Sequence, residues 1–138
     1  MLSLATRQLA GDWQTRYGER PVLVETRAGA AGQIAAEALK AAAPAGNTLM
    51  VAPDSVMTLH PYTVKKPAYD TLADFTPVAH VGSSTNGLAV NASIPASDLR
   101  EFVHWAKASA KNVTYGSGSY GSGQHFMGLM RGQATGVV

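Results

Sequence analysis

A loop of alternating glycine and serine residues is the stretch of this chain best suited to chemistry. It spans residues 116–123, between a β-prone run that ends at Tyr115 and an apolar pattern that predicts a helix. Glycine tolerates positive φ, and small residues let the backbone approach a ligand closely. The first amides of the helix have no intrahelical partner and lie at the positive end of its dipole. The pattern therefore predicts a cradle for an anion.

The same loop formally matches the dinucleotide-binding pattern, with glycines at positions 116, 118 and 121. That pattern needs an acidic residue about 20 positions further on, and no acidic residue follows Gly121. The loop also lacks the lysine of a P-loop and the G-x-S-x-G spacing of a nucleophile elbow. We therefore favour an oxyanion cradle over the phosphate or cofactor site of an enzyme. A glycine-rich turn without a ligand is the open alternative.

A second polar loop follows the predicted strand 47–52. Ser55 could donate to a ligand oxygen, and Asp54 could bind a ligand amine. Ordinary turn chemistry of aspartate and serine explains the pair equally well. The four histidines show no metal-binding spacing, and the carboxylates show no pairing for general acid–base work. His125, in the first turn after the glycine–serine loop, either orients that loop by hydrogen bonding or simply packs. These patterns indicate neither a metal site nor an enzyme.

The elements that position these loops alternate along the chain. Apolar spacing and stop signals predict four helices, at 4–17, 33–43, 95–108 and 122–133, with Ser97 or Ala96 capping the third. Short apolar runs predict strands at 21–25, 47–52, 75–81, 87–91 and 112–115. Such alternation indicates an α/β fold with a mainly parallel sheet. Ligands of such sheets bind beyond the carboxyl ends of the strands, where the loops 27–32, 53–58 and 116–122 lie.

Composition limits the class of protein. The chain has 138 residues, of which 46% are hydrophobic and 14% charged, as in one ordinary globular domain. The net charge is +2 and the basic residues are scattered, which disfavours nucleic-acid binding. The chain has no cysteine, no apolar run of membrane-spanning length and no signal-peptide pattern. Both termini interrupt the predicted alternation, so the pattern is typical of a fragment.

Several sequence blocks, in order, carry a family resemblance. Residues 21–34, PVLVETRAGAAGQI, resemble the "pVvVENrPGAgGniga" signature of the substrate-binding proteins of tripartite tricarboxylate transporters, also called Bug receptors. AAPAGNTLM at 42–50 and YDTLADFTPV at 69–78 are similar to the blocks "aaPDGyTLl" and "YDplkDFtPV". Residues 94–99 and 115–125 match later blocks. The blocks cover essentially the whole chain, and their order makes the resemblance specific.

The resemblance implies a periplasmic receptor without a cofactor, in a periplasmic-binding-protein-like fold of mainly parallel sheets flanked by helices. The two-domain fold would be present only in part, with a partial first domain at 1–91 and the hinge and beginning of the second at 92–138. A small carboxylate or amino-acid-like solute would bind in the cleft between the domains and pass to membrane transporter subunits. The resemblance carries the ligand contacts over to Asp54, Ser55, Ser117, Gly118, Ser119, Gly121 and Ser122.

The chain also departs from the family pattern. Family members are about twice as long, and Ala28, Ala31 and Ser119 stand where the family often has proline or glycine. A Cβ atom at a loop position that needs positive φ costs about 1 kcal/mol. A truncated product without transport function, self-associating through exposed sheet edges, is therefore an alternative to a working receptor.

Overall fold

The computed structural model describes residues 2–18, 20–109 and 113–137. The backbone divides into two units, Met1–Pro77 and Val78–Val138, and each is considered by itself. The division into domains at residues 91 and 92, which follows from the family resemblance, stays a prediction. The described residues contain six α-helices: α1 (Leu2–Tyr17), α2 (Gln33–Lys40), α3 (Ser55–Thr58), α4 (His60–Thr63), α5 (Leu99–Ala108) and α6 (Gly123–Thr135).

All four predicted helices are present, as α1, α2, α5 and α6. Helix α2 ends at Lys40 rather than at residue 43, because the Ala42 amide donates to the Leu39 carbonyl and tightens the last turn. The short helices α3 and α4 were not predicted, since four residues are too few to show a helical period. No helix among the described residues has the length and apolar character needed to cross a membrane.

The predicted strands are not observed. The described parts of all five segments are free of strand structure, and Asn112 lies outside the described residues. A strand is defined by hydrogen bonds to a neighbouring strand, and no amide between residues 78 and 90 donates to the backbone carbonyl of a residue that the structure describes. The strand predictions are therefore wrong for the described residues of these segments, because a ladder needs a partner segment that an apolar run does not specify. The α/β architecture with parallel sheets stays a prediction.

The first unit has a small core built from distant parts of its chain. Ala36 of α2, Val56 of α3 and Tyr69 are buried, with exposed fractions of 0%, 3% and 3%. Partly buried side chains surround them: Met50, Ala52, Met57 and Phe75. The Phe75 ring meets the Tyr69 ring edge-on at 5.3 Å between centroids. This core holds the loop that contains Asp54 and Ser55.

A tight turn of left-handed backbone leads into α2. Four consecutive residues have positive φ: Gly29 at 130°, Ala30 at 45°, Ala31 at 53° and Gly32 at 97°. The Gly32 amide closes the turn by donating to the Gly29 carbonyl at 2.8 Å. The expected strain is thus confirmed at Ala31, and it extends to Ala30. Ala28 and Ser119 do not have positive φ.

Replacing Ala31 with glycine is expected to stabilise the protein. Left-handed backbone costs an L-residue about 1–2 kcal/mol, and the greater freedom of glycine in the unfolded chain offsets about 0.4–1 kcal/mol of that. We therefore expect Ala31→Gly to raise the free energy of unfolding by up to about 1 kcal/mol in chemical denaturation. Ala35→Gly, inside α2, is the control and should lower it by about 1 kcal/mol. A loss of stability in Ala31→Gly would contradict the inference that the backbone at Ala31 is strained.

The second unit contains two well-capped helices. Asp98, rather than the predicted Ser97 or Ala96, caps α5: its Oδ1 accepts from the Glu101 amide at 2.8 Å. Ser97 instead lies one residue earlier, and its amide and hydroxyl both donate to the Glu101 carboxylate. The bond from the Ser97 hydroxyl, followed by the bond from the Ser97 amide, lowers the pKa of Glu101. Ser122 caps α6, and Gly136 ends it with φ of 71°.

Candidate functional site

The glycine–serine loop uses its hydroxyl protons internally. Ser122 Oγ donates to the Ser119 carbonyl at 2.7 Å, and Ser117 Oγ donates to the same oxygen at 3.3 Å. Ser119 Oγ donates to the Tyr120 carbonyl at 3.3 Å. Within residues 113–137, by contrast, the amides of Ser117, Gly118 and Ser119 donate to no protein acceptor. The donors that this loop offers to a ligand are therefore backbone N–H groups.

His125 fixes the junction between the loop and α6. Its Nδ1 accepts from the Gly121 amide at 3.3 Å, and its own amide donates to Ser122 Oγ at 3.2 Å. The imidazole also lies against the Tyr120 ring, with 4.5 Å between centroids. Gly121 can make this turn because its φ is 77°. Of the two roles considered for His125, the structure shows the hydrogen bond that orients the loop.

Asp54 and Ser55 lie at the start of α3 in the first unit. The Asp54 side chain makes no capping bond, and its backbone carbonyl accepts from the Met57 and Thr58 amides at 2.8 Å. Neither the Asp54 carboxylate nor the Ser55 hydroxyl bonds to a residue that the structure describes. Asp54 is exposed and Ser55 is half-buried. The turn is therefore made by backbone bonds, and both side chains are free to contact a solute.

Two hydroxyl groups hold α3 from its carboxyl side. Tyr69 Oη donates to the Val56 carbonyl at 2.6 Å, and Thr71 Oγ1 donates to the Met57 carbonyl at 3.0 Å. Both carbonyls belong to a four-residue helix that cannot satisfy them internally. Sequence reasoning missed these two residues as supports of the loop. The signal was the block at 69–78, whose tyrosine had no assigned role.

The turn after Tyr69 is tied to α2. Asp70 Oδ1 accepts from the Leu72 and Ala73 amides, both at 2.9 Å. Asp74 Oδ2 accepts from the Asp70 amide at 2.8 Å and forms an ion pair with Lys40 Nζ at 2.7 Å. The Lys40 bond, followed by the Asp70 bond, lowers the pKa of Asp74. The pair is exposed and contributes little stability by itself, but it gives the turn its orientation.

A buried histidine lies beside this support. His60 is only 6% exposed and stacks on Tyr69, with 4.2 Å between centroids and 16° between planes. The Gln33 side-chain nitrogen lies 3.2 Å from Nδ1 and 3.3 Å from Nε2. Burial lowers the pKa of His60, and the nearby Glu37 carboxylate opposes part of that shift. The folded protein therefore favours neutral imidazole.

Neutral His60 predicts a pH-dependent stability. The unfolded chain binds the proton near the ordinary pKa of about 6.5, whereas the folded chain binds it only at lower pH. Stability is therefore fully present above about pH 6.5 and falls as the pH is lowered, until the folded form is also protonated. Denaturation between pH 5 and 8 should show this loss in the wild type and a smaller one in His60→Gln. His104→Gln, at an exposed position, is the control. An equal pH slope in His60→Gln would contradict the assignment.

Metal-binding side chains do not cluster in the described part of the chain. No group of three His, Cys, Asp or Glu side chains there could hold a metal ion. The second unit has one loop with free amides, and the first unit, considered by itself, has one loop with free polar side chains. Such groups bind polar solutes through hydrogen bonds.

Comparison with known proteins identifies the class. The family model described as tripartite tricarboxylate transporter family receptor matches residues 5–137. The chain belongs to this receptor family, whose fold is periplasmic-binding-protein-like. The resemblance of the sequence blocks is thereby confirmed. No solved structure matches the chain.

Three relatives show how much of a receptor the chain spans. The UPF0065 protein in the gbd 5′ region of Cupriavidus necator is 35% identical over 71% of the chain and 29% of its own length. A UPF0065 protein of Bordetella bronchiseptica is 38% identical over 62% of the chain and 26% of its length. Protein BugT of Bordetella pertussis is 30% identical over 88% of the chain and 37% of its length. The chain thus spans well under half the length of these relatives.

Proposed function

We propose that the chain is part of the solute receptor of a tripartite tricarboxylate-type uptake system and binds a small carboxylate or amino-acid-like solute. Membership of the receptor family is the observation that carries this proposal. The receptor would act in the periplasm and deliver its solute to membrane transporter subunits. Its task is capture rather than catalysis, and it needs no cofactor or nucleic acid.

The glycine–serine loop supports this function through its backbone. A carboxylate leaving water needs donors that replace its hydration, and charge-assisted bonds from N–H groups are strong. The free amides of Ser117, Gly118 and Ser119 are such donors. Gly121 and Ser122 would hold them in place through the turn and the helix cap. Asp54 and Ser55 would supply further contacts, the carboxylate to an amine and the hydroxyl to an oxygen.

A matched pair of substitutions at Gly118 tests the role of the loop. A Cβ atom at this position would meet nothing within 4 Å, so alanine has room. Gly118→Ala keeps the N–H group, whereas Gly118→Pro removes it. The wild type is first titrated calorimetrically with acetate, succinate, citrate and aspartate. For any that binds, Gly118→Pro should weaken binding about ten-fold and Gly118→Ala should leave it nearly unchanged.

The possible results of these titrations test the ligand contact of the loop separately from the receptor function. Equal affinity in both variants would reject the loop as the carboxylate contact while leaving the receptor function in place. Failure of every small carboxylate and amino acid to bind the wild type, under conditions where it unfolds cooperatively, would reject solute binding by this chain. Ser55→Ala, measured with the same solutes, tests the second loop in the same way.

Self-association is a second candidate, and one observation favours it. Leu23 and Val78, in segments predicted as strands, are 88% and 79% exposed. Exposed β-prone segments without a paired neighbour are templates for pairing with another chain. Sedimentation velocity from 5 to 200 μM distinguishes the alternatives. A monomer that binds a carboxylate favours the receptor, and concentration-dependent oligomers without binding favour the truncated product.

A further inference from the structure

A cavity of about 310 Å³ lies in the second unit, beside the glycine–serine loop. This volume is at the lower end of the range of small-molecule sites, about 300–1,000 Å³. Three of its lining residues, His125, Gly128 and Leu129, share one face of α6. Its lining residues are Val113, Tyr115, Ser117, His125, Gly128, Leu129 and Val137.

The position of Tyr115 shapes this cavity. Its hydroxyl donates to the Gln124 carbonyl in the first turn of α6. A Cβ atom at position 128 would overlap the Tyr115 ring, so glycine there lets the ring lie directly on the helix. The Tyr115 ring therefore forms one wall of the cavity. Its hydroxyl already donates to a protein acceptor, the Gln124 carbonyl.

Ser117 and His125 supply the polar groups that the lining offers to a ligand. Valine, leucine, glycine and the tyrosine ring make the remainder, and no lysine or arginine is among the lining residues. Ser117 belongs to the loop with free amides. His125 Nδ1 accepts a hydrogen bond from the Gly121 amide, so the proton of the neutral ring is on Nε2. The cavity thus combines one small region of donors with an apolar body.

We propose that this cavity selects a small monocarboxylate with an apolar body, such as an aromatic acid, over di- and tricarboxylates. The inference rests on the proposed function and narrows its substrate class. The carboxylate would lie at the Ser117 amide and His125 Nε2–H, and the apolar body would lie against Tyr115, Leu129 and Val137. A second or third carboxylate would lie against the half-exposed Tyr115 and Leu129 side chains, where the lining offers no cation to pair with it.

Benzoate is the probe that tests the proposal in the full chain. Its affinity is measured by calorimetry beside acetate, which lacks the ring, benzyl alcohol, which lacks the charge, and citrate, which has three carboxylates. Benzoate should bind at least about ten-fold more tightly than each, because ring burial and a charge-assisted bond each contribute that much. Equal or tighter binding of acetate or citrate would overturn the substrate class but not carboxylate binding.

Filling the cavity tests its location. Leu129→Trp occupies the cavity from α6, and Met130→Trp places the same ring on the same helix at a residue that is 68% exposed and outside the lining. Benzoate affinity should fall at least about ten-fold in Leu129→Trp and stay unchanged in Met130→Trp. Val137→Phe fills the cavity from another lining residue if Leu129→Trp unfolds. Unchanged benzoate binding in a folded filled variant overturns the site. Absence of benzoate binding by the wild type also overturns it, whereas the proposed function is rejected only if the succinate, citrate and aspartate titrations fail as well.

Discussion

Replacing Tyr69 with alanine is expected to lower the free energy of unfolding by about 3–5 kcal/mol, the usual cost of truncating a buried aromatic side chain. Tyr69 is 3% exposed and contacts three partners at once. Its ring stacks on His60 and meets Phe75 edge-on, and its hydroxyl donates to the Val56 carbonyl. The loss is a large part of the stability of a small protein, typically about 5–15 kcal/mol. Urea denaturation followed by circular dichroism measures it.

Two further tyrosine variants separate packing from hydrogen bonding. Tyr69→Phe keeps the ring and removes the donor to Val56, which should cost about 1–3 kcal/mol. Tyr62→Ala removes an equally large side chain that is 88% exposed, and should change stability by less than about 0.5 kcal/mol. Equal losses in Tyr69→Ala and Tyr62→Ala would contradict the core assignment. A Tyr69→Phe variant as stable as the wild type would contradict the support of α3 by the hydroxyl.

Replacing Gly32 with alanine is expected to lower the free energy of unfolding by about 2–4 kcal/mol, from left-handed strain and overpacking together. The backbone at Gly32 has φ of 97°, a conformation unfavourable to alanine. The added Cβ would also lie 2.6 Å from Val56 Cγ2, in the core of the first unit. Val56 is 3% exposed and has little room to move. Chemical denaturation gives the change directly.

Gly46 provides the matched control for this prediction. Its φ is 74°, but a Cβ there would meet nothing within 4 Å. Gly46→Ala should therefore show the left-handed penalty alone, about 1–2 kcal/mol less a fraction recovered from the unfolded chain. The amount by which Gly32→Ala lowers the free energy of unfolding more than Gly46→Ala measures the cost of the clash with Val56. Equal losses would show that α3 moves away from α2 without cost.

Local signals predicted the helices of this fold better than its loops or strands. Helix α6 follows from an apolar period between a serine cap and a terminal glycine, all within a few residues of chain. For α5 the period was sufficient, but Ser97 and Asp98 are both good caps. The choice of Asp98 depends on its extended backbone, with ψ of 175°, and on the return of Glu101 to Ser97. The three-residue spacing from Asp98 to Glu101, that of a capping box, is the sequence signal that favours Asp98.

The features that determine the first unit come from residues far apart in sequence. Tyr69 and Val56 are 13 residues apart, and Gln33 and His60 are 27 apart. Propensity and periodicity report only on neighbours along a helix or strand, so they left the tyrosine and the buried histidine without roles. The strands failed for a related reason: an apolar run shows that a segment suits a sheet, while the ladder depends on which segment lies beside it.

The family blocks carried information that local physics could not supply. They predicted that position 31 favours glycine, and the φ of 53° at Ala31 agrees. They also pointed to Asp54, Ser55 and the glycine–serine loop as ligand contacts, which stay predictions until a solute is measured. The hydrogen bonds of the structure show which groups are free in each loop. In the glycine–serine loop they are backbone amides, and at Asp54 and Ser55 they are side chains.

Because the amides of residues 78–90 form no β-ladder, we expect their hydrogens to exchange rapidly with solvent. Amides that donate to a carbonyl exchange deuterium only when the structure opens, whereas amides that face water exchange at the rate of an open peptide. The amides of 78–90 should therefore label within the shortest accessible time, while the interior of α6 labels slowly. A carboxylate that orders strands in this segment would appear as protection there, visible without any change in the helices.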